Sequence, residues 1–249
     1  MKFLIEKSTD TFPEADLLKN SITNSHLCHT YEELSMNEAE LFDDSYSKYK
    51  DYIPVGTIHF VNVWLDRFYN TTIKTIEVPP CLRTEEFLKR DYKIINKSQI
   101  PKYGKYFLKY IDKIKNGSYL GHLENWWIYE KAESTSNKLF VLSQYVDILS
   151  EYRVYVIDNE IKSIAHYDGY PTILPDIHLI EKAALIISAN KDLPKSYTID
   201  IAVNADGTFI LEVHTFSSVG LYTTLLEDLP LAYKQGLDWC INNNYNIMM

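Results

Sequence analysis

A pair of alternating segments near the C-terminus constrains the fold of this chain more than any other feature. In Tyr197–Val203 and in Thr208–His214, every odd-numbered residue is apolar. Because successive side chains of a β-strand point to opposite faces, each segment is predicted to be a strand with one buried face. Asp200 lies on the other face of the first strand, and Glu212 and His214 lie on the other face of the second.

The turn between these strands sets which residues face each other. A loop of two residues would place Asp200 opposite Leu211 and so mix the two faces. A loop of three residues, Ala205–Gly207, ends in glycine at the position that favours a positive φ. The three-residue loop is therefore predicted, and it places Asp200 directly opposite Glu212.

Two facing carboxylates repel each other, so a cation between them is the natural compensation. Carboxylate oxygens together with waters and phosphates are the ligands that Mg²⁺ takes at nucleotide sites. The pair Asp200 and Glu212 therefore indicates a metal–phosphate site. The alternative is an exposed sheet face on which water screens the two acids. His214 taken alone is more typical of a packed or solvent-facing imidazole than of a metal ligand.

Lys109 is the first of several cations that could serve such a site. In the predicted strand Tyr106–Ile111 it shares a face with Phe107 and Ile111. A lysine between apolar neighbours is costly unless its ammonium group reaches an anion or extends to water. Both readings stay open on this pattern.

Two further cations have the same double reading. Arg153 alternates with apolar residues in Tyr152–Ile157, and its fork could bind two phosphate oxygens or form a surface ion pair. Lys115 begins the polar loop Lys115–Tyr119, which could close over a phosphate or be an ordinary turn.

The remaining pattern predicts an α+β fold with mainly antiparallel strands. After the first 80 residues, which read as largely irregular, Pro79 and Pro80 favour a boundary. Helices are predicted from Thr84, from Pro175-Asp176 and near Pro230. Further strands are predicted at Leu139–Val146, Tyr152–Ile157 and Ile161–Tyr167.

Composition excludes several functional classes. The formal net charge of -9 argues against a general nucleic-acid binder, which needs a basic surface. The three cysteines form no C-x-x-C pair, and no apolar run approaches the roughly 18 residues of a membrane span. A cytoplasmic protein without a membrane segment is expected. The chain has no G-x-x-x-x-G-K-[ST], G-x-G-x-x-G or G-x-S-x-G motif.

The chain resembles the ATP-grasp superfamily. The resemblance rests on three stretches, taken in order: Lys105–Lys115 with Lys109 and Lys115, Ser150–Tyr167 with Arg153, and Tyr197–Tyr222 with the acidic hairpin. The closest pattern is a divergent clade that includes a eukaryotic translation-initiation assembly chaperone and many bacterial and phage proteins. The resemblance covers roughly residues 80–249.

The resemblance implies a fold of two α+β lobes that clasp ATP, preceded by a small pre-ATP-grasp region. It divides the chain into residues 1–80, an N-lobe at 81–146 and a C-lobe at 147–249. The implied contacts are Lys109 and Lys115 to phosphates, Gln144, Tyr145, Val146 and Asp147 to adenine, Arg153 to the reacting phosphates, and Asp200 and Glu212 to Mg²⁺.

Two residues depart from the family pattern. Gln144 stands where an acidic residue is common, and His214 stands where family members usually carry asparagine. An imidazole is a poor ligand for Mg²⁺ and a better one for softer divalent ions. Either His214 binds metal or phosphate, or the metal preference differs, or a second metal is lost.

The activity that the resemblance implies is ATP-dependent ligation of a carboxylate to an amine through an acyl phosphate. The substrates would be unidentified carboxylates and amines, with small molecules, peptides and proteins all open. The alternative is an ATP-binding assembly chaperone or pseudo-ligase without turnover. A third reading is an α+β ligand-binding domain that takes no nucleotide.

Overall fold

The computed structural model describes residues 1–7, 14–24, 29–40, 44–101, 103–111, 118–121, 139–217, 219–222 and 226–243. Within these ranges, three β-sheets are flanked by helices, which confirms the predicted α+β class. None of the helices in these ranges combines the length and the apolar character needed to cross a membrane.

The N-terminal region is ordered by a parallel sheet with the strand order β2-β1-β3. Its elements are β1 (Lys2–Glu6), α1 (Glu14–Asn24), β2 (Thr30–Leu34), α2 (Met36–Glu40), β3 (Ile53–Val55) and α3 (Ile58–Tyr69). The prediction of a largely irregular region was therefore wrong. The central strand β1 is buried along Phe3–Glu6, and a strand covered on both faces lacks the alternation that marks an exposed sheet.

A second sheet, called here the N-lobe sheet, is antiparallel with the order β4-β7-β5-β6. Its strands are β4 (Tyr92–Asn96), β5 (Tyr106–Ile111), β6 (Ser118–Gly121) and β7 (Leu139–Gln144). The one-turn helix α4 (Glu85–Leu88) precedes it. Thr84 is the N-cap residue as predicted, and the helix ends because Lys89 adopts a left-handed conformation with a φ of 45°.

The third sheet, called here the C-lobe sheet, is antiparallel with the order β11-β10-β8-β9. Its elements are β8 (Ser150–Ile157), β9 (Glu160–Gly169), α5 (Ile177–Ser188), β10 (Tyr197–Asn204), β11 (Gly207–Thr215) and α6 (Leu229–Asn242). This order confirms the predicted succession of two strands and a helix, twice. Asp176 caps α5 as predicted, because its carboxylate accepts a hydrogen bond from the His178 amide at 2.9 Å.

The hydrophobic core is divided unequally among these sheets. The N-terminal region and the C-lobe sheet share one continuous cluster that includes Trp64, Tyr155 and Tyr233. The N-lobe sheet has a separate small cluster, which within the described ranges is built on Ile95, Ile100, Leu108 and Phe140.

The hairpin β10–β11 differs from the prediction at its turn. The loop has two residues, because Asn204 pairs with Gly207, so the three-residue loop was wrong. The ladder then shifts between Ile201 and Asp200, which is a β-bulge that leaves Leu211 without an opposite partner. Beyond the bulge, Asp200 does lie opposite Glu212. The predicted facing pair is present, but the bulge rather than the turn produces it.

Candidate functional site

A cavity of about 530 Å³ opens between the N-lobe sheet and the C-lobe sheet. Apolar side chains from both sheets line one part of it, including those of Phe107, Val141 and Leu211. Charged side chains line another part, and they are those of Glu77, Arg90, Lys109, Glu151, Asp200 and Glu212. A cavity that is apolar in one part and charged in another suits a ligand with an aromatic ring and an ionic tail.

Arg153 and Asp200 form a two-pronged ion pair across neighbouring strands of the C-lobe sheet. Nε of Arg153 donates to Oδ1 of Asp200 at 2.8 Å, and Nη2 donates to Oδ2 at 2.8 Å. The third prong, Nη1, donates to the Gly220 carbonyl at 3.2 Å. Both side chains are buried. Burial alone would raise the pKa of Asp200, but the hydrogen bonds from Arg153 and the nearby imidazole of His214 hold that pKa below its usual range.

Lys109 lies between two carboxylates that come from different parts of the chain. Its Nζ atom donates to Oε2 of Glu77 at 3.0 Å and also contacts Oε2 of Glu212. The side chain is only 13% exposed, so the lysine reaches anions rather than water. Burial opposes the charged form, yet the two carboxylates raise the pKa of Lys109 above its usual range.

His214 completes the group at the hairpin. Its Nε2 atom lies 2.6 Å from Oε1 of Glu212 and 3.6 Å from Oδ2 of Asp200. Neither contact has the geometry of a hydrogen bond. Burial would raise the pKa of Glu212, but His214 and Lys109 hold that pKa well below its usual range. The carboxylate of Glu212 is therefore held in its ionised, ligand-competent form.

The donor set at this hairpin fits a divalent cation. One ligand atom from each of Asp200, Glu212 and His214 can be chosen so that all three lie within 4.8 Å of one another. Two carboxylates suit Mg²⁺, and the imidazole adds a nitrogen donor that softer divalent ions prefer. The buried Nε2 atom makes no hydrogen bond and lies against both carboxylates, so a neutral imidazole would offer its lone pair to the same ion.

The segment expected to contact adenine follows β7 directly. Gln144, Tyr145 and Val146 line the cavity, whereas Asp147 is exposed and does not line it. Gln144 is held against Asp91, the residue before β4, because the backbone N–H of Gln144 donates to the backbone carbonyl of Asp91 at 2.9 Å. The other predicted phosphate ligand, Lys115, lies outside the described residues.

Several cavity-lining side chains were not predicted as site residues, among them those of Glu77, Arg90, Glu151 and Tyr167. Glu77 precedes Val78 and the two prolines, and it is buried at a positive φ of 56°. Arg90 lies in the charged triplet Lys89-Arg90-Asp91, which reads as a surface segment. Tyr167 donates to Oε2 of Glu151 at 2.5 Å. Only Glu151 left a signal, because it shares a strand face with Arg153.

The family model for the ATP-grasp domain, R2K clade family 2, matches residues 92–228. No curated protein matches the chain. Among solved structures, the D-alanine–D-alanine ligase from Bacillus anthracis complexed with ATP is similar at 15% identity, with a TM-score of 0.55 and coverage of 98% of this chain and 96% of that one.

Two further structures have the same overall fold. The N5-carboxyaminoimidazole synthetase from Staphylococcus aureus gives a TM-score of 0.55 at 11% identity, covering 94% of this chain and 77% of that one. A RimK domain ATP-grasp protein from Sphaerobacter thermophilus gives 0.53 at 11% identity, covering 97% of each chain. At these identities the likeness establishes the fold, which confirms the expected ATP-grasp architecture.

Proposed function

The chain belongs to the ATP-grasp superfamily, within R2K clade family 2, and from this membership and its cleft we propose that it is an ATP-dependent ligase. The proposed reaction joins a carboxylate to an amine, with ADP and phosphate as the other products. The observation that carries the proposal is the facing pair Asp200 and Glu212 in the cleft, with Arg153 bonded to Asp200 and Lys109 to Glu212.

Asp200, Glu212 and His214 would hold the metal, with Mg²⁺ or Mn²⁺ as the ions tested first. A divalent cation bound there supplies charge neutralisation for the phosphates. The protein's own contribution is to hold both carboxylates ionised, as the lowered pKa values of Asp200 and Glu212 support. Arg153 keeps Asp200 in a fixed orientation through its two parallel hydrogen bonds.

The nucleotide would lie along the cleft from the apolar part to the charged part. Backbone groups of Gln144, Tyr145 and Val146 would contact adenine, and Phe107 and Leu211 would pack on its faces. Lys109 would contact the phosphates, and Lys115 is proposed for the same role on the basis of the family pattern. Specific positioning and charge suit a reaction that needs no protein nucleophile.

The chemistry proceeds in two balanced steps. An oxygen of the substrate carboxylate attacks the γ-phosphorus, the bond to the β-phosphate oxygen breaks, and ADP leaves. The amine then attacks the acyl carbon, the C–O bond to phosphate breaks, and phosphate leaves with an amide formed. A neutral amine gives up one proton in this second step, and the departing phosphate takes it. A small molecule, a peptide and a protein all remain candidate acceptors.

Binding and turnover can be tested separately. Mg-ATP at about 100 times its Kd should stabilise the folded chain by ~2.7 kcal/mol, which a thermal shift detects. ADP release should depend on an added carboxylate and amine, and it should be abolished in Asp200→Asn and Glu212→Gln. Full ADP release in those variants would contradict the ligase proposal. If the chain binds Mg-ATP but releases no ADP with any member of a broad panel of carboxylates and amines, it is a nucleotide-binding protein without turnover.

A further inference from the structure

Arg90 is a buried cation in the wall of the cleft. Its residue is 9% exposed, and among the residues that the structure describes it pairs with no carboxylate. Burial lowers its pKa to about 10. A buried charge without an opposite charge is costly, so its hydrogen bonds have to compensate for it. The targets of those bonds indicate what the residue does.

The guanidinium group of Arg90 binds four acceptors in three separate parts of the fold. Nη1 donates to the Ile210 carbonyl at 2.8 Å and to the Leu88 carbonyl at 3.0 Å. Nη2 donates to the Leu211 carbonyl at 3.4 Å. Nε donates to Oγ of Ser143 at 2.9 Å. One planar fork therefore joins the end of α4, strand β7 and strand β11.

Two of these acceptors are the carbonyls at the β-bulge. Counted from the turn, Ile210 is the last residue of β11 that pairs with β10 before the bulge, and Leu211 is the extra residue of the bulge. The bulge is what places Glu212 opposite Asp200, because without it Leu211 would take that position. Arg90 thus holds the peptide units whose conformation decides whether the two carboxylates face each other.

The remaining side-chain acceptor lies on the nucleotide side of the cleft. Ser143 directly precedes Gln144, the first residue of the segment proposed to contact adenine. Ser143 is buried, and its hydroxyl is fixed by Arg90. Arg90 therefore connects the adenine-contacting segment to the carboxylate hairpin through a single rigid group.

We propose that Arg90 is a positioning residue that sets the register of the two metal-binding carboxylates and their distance from the adenine-contacting segment. The inference rests on the proposed function, since it assigns a role within the same site. Lysine cannot replace arginine here. A single ammonium group lacks the planar fork that reaches Ser143 on one side and the bulge carbonyls on the other.

The test compares Arg90→Lys with the wild type and with Lys89→Ala. Lys89 is the matched control, because it is the adjacent residue and bonds the Asp206 carbonyl in the turn of the same hairpin, away from the bulge. Mn²⁺ binding is measured by the loss of the free-ion EPR signal, and Mg-ATP binding by calorimetry. Far-UV circular dichroism identifies a temperature at which every variant is folded.

Arg90→Lys is expected to weaken Mn²⁺ and Mg-ATP binding by about tenfold each, whereas Lys89→Ala should leave both near wild type. A merely structural role would lower the unfolding temperature without changing the metal affinity of the folded chain. The inference is overturned if the Arg90→Lys variant is folded and binds Mn²⁺ with the affinity of the wild type. Wild-type protein that binds neither probe overturns the proposed function as well, so the two failures are distinguishable.

Ser143→Ala provides a second test that is milder for folding. It removes the bond from Arg90 to the Ser143 hydroxyl, together with the bond that this hydroxyl donates to the Gln144 carbonyl at 3.2 Å, and it leaves the bonds from Arg90 to the bulge in place. Mg-ATP binding should weaken by about threefold while Mn²⁺ binding stays unchanged. Unchanged binding of both probes would overturn the coupling between adenine-contacting segment and hairpin, even if Arg90→Lys cannot be purified in a folded state.

Discussion

The cleft contains two cation–carboxylate contacts that differ in where their members come from. Arg153 and Asp200 belong to adjacent strands of the C-lobe sheet, and their side chains are 9% and 4% exposed. Lys109 belongs to the N-lobe sheet, whereas its partners Glu77 and Glu212 belong to the preceding region and the C-lobe sheet. The first contact is part of one folded unit, and the second joins three parts of the chain.

The two contacts are therefore expected to contribute differently, one to the stability of the fold and the other to ligand binding in the cleft. The Arg153–Asp200 pair is enclosed by the large core that the C-lobe sheet shares with the N-terminal region. Lys109 extends from a sheet whose core, counted over the residues that the structure describes, is much smaller, and it contacts carboxylates across the cleft. We therefore expect loss of the first pair to destabilise the fold, and loss of the second to change mainly what the cleft binds.

The largest expected effect follows from Asp200→Asn. The change leaves Arg153 buried without a carboxylate, and the free energy of unfolding should fall by about 3 kcal/mol. Urea unfolding measures the change. Glu212→Gln is the matched control, because Lys109 keeps Glu77 as a partner, and its cost should stay below about 1 kcal/mol. Equal losses in the two variants would erase the distinction between the contacts.

The second effect concerns Lys109→Met and should appear in binding. The ammonium group occupies an oxygen of Glu212 that a metal would use, so its removal should tighten Mn²⁺ binding several-fold. The same change removes a proposed phosphate contact, and Mg-ATP binding should weaken by about tenfold. Calorimetry with each probe gives both values. A change of both affinities in the same direction would contradict the role given to Lys109.

A smaller effect is expected in the pH dependence of stability. The folded pKa of Asp200 lies below its ordinary value of 3.8. Its ionised form therefore contributes stability that is fully present above that pH and is lost as the pH falls through the lower folded value. The stability advantage of wild type over Asp200→Asn should be constant at higher pH and shrink below about 3.8. Urea titrations at a series of pH values test this, and an advantage that persists at low pH would contradict it.

The smallest effect is expected for an ion pair on the surface, between two helices. Lys182 of α5 binds both oxygens of Glu86 in α4 at 2.6 and 2.7 Å, but both side chains are 53% exposed. Lys182→Ala should change the free energy of unfolding by less than about 0.5 kcal/mol, because solvent screens the pair. It should leave Mn²⁺ and Mg-ATP binding unchanged. A large change in the free energy of unfolding or in either affinity would show that exposed ion pairs contribute as much as the buried ones in the cleft.

The facing carboxylates could be predicted from the sequence, although the reason given for them was wrong. Alternation placed Asp200 and Glu212 on polar faces, and Gly207 does adopt a positive φ of 108°. The turn is nevertheless one residue shorter than predicted, and the bulge at Leu211 restores the register. A bulge leaves little signal in a single sequence, because an apolar residue in a strand looks the same whether or not it has an opposite partner.

Glu77 and Arg90 could not be predicted, for a related reason. Their positions depend on contacts between segments far apart in sequence, such as the 120 residues between Arg90 and Ile210. Locally, Arg90 has the charged neighbours of a surface residue, and Glu77 has only the prolines that follow. The parallel N-terminal sheet was missed because its short strands carry no turn signals of the hairpin kind.

The bulge also separates the turn of the hairpin from the metal-binding carboxylates. Ala205 and Asp206 lie on the far side of Leu211 from the carboxylates, and Arg90 anchors the ladder between them. A change of loop length at the turn should therefore be absorbed before it reaches Asp200. This tip is a natural position for a short inserted tag or a fluorescent label, and Mn²⁺ binding by the labelled chain would report at once whether the insulation holds.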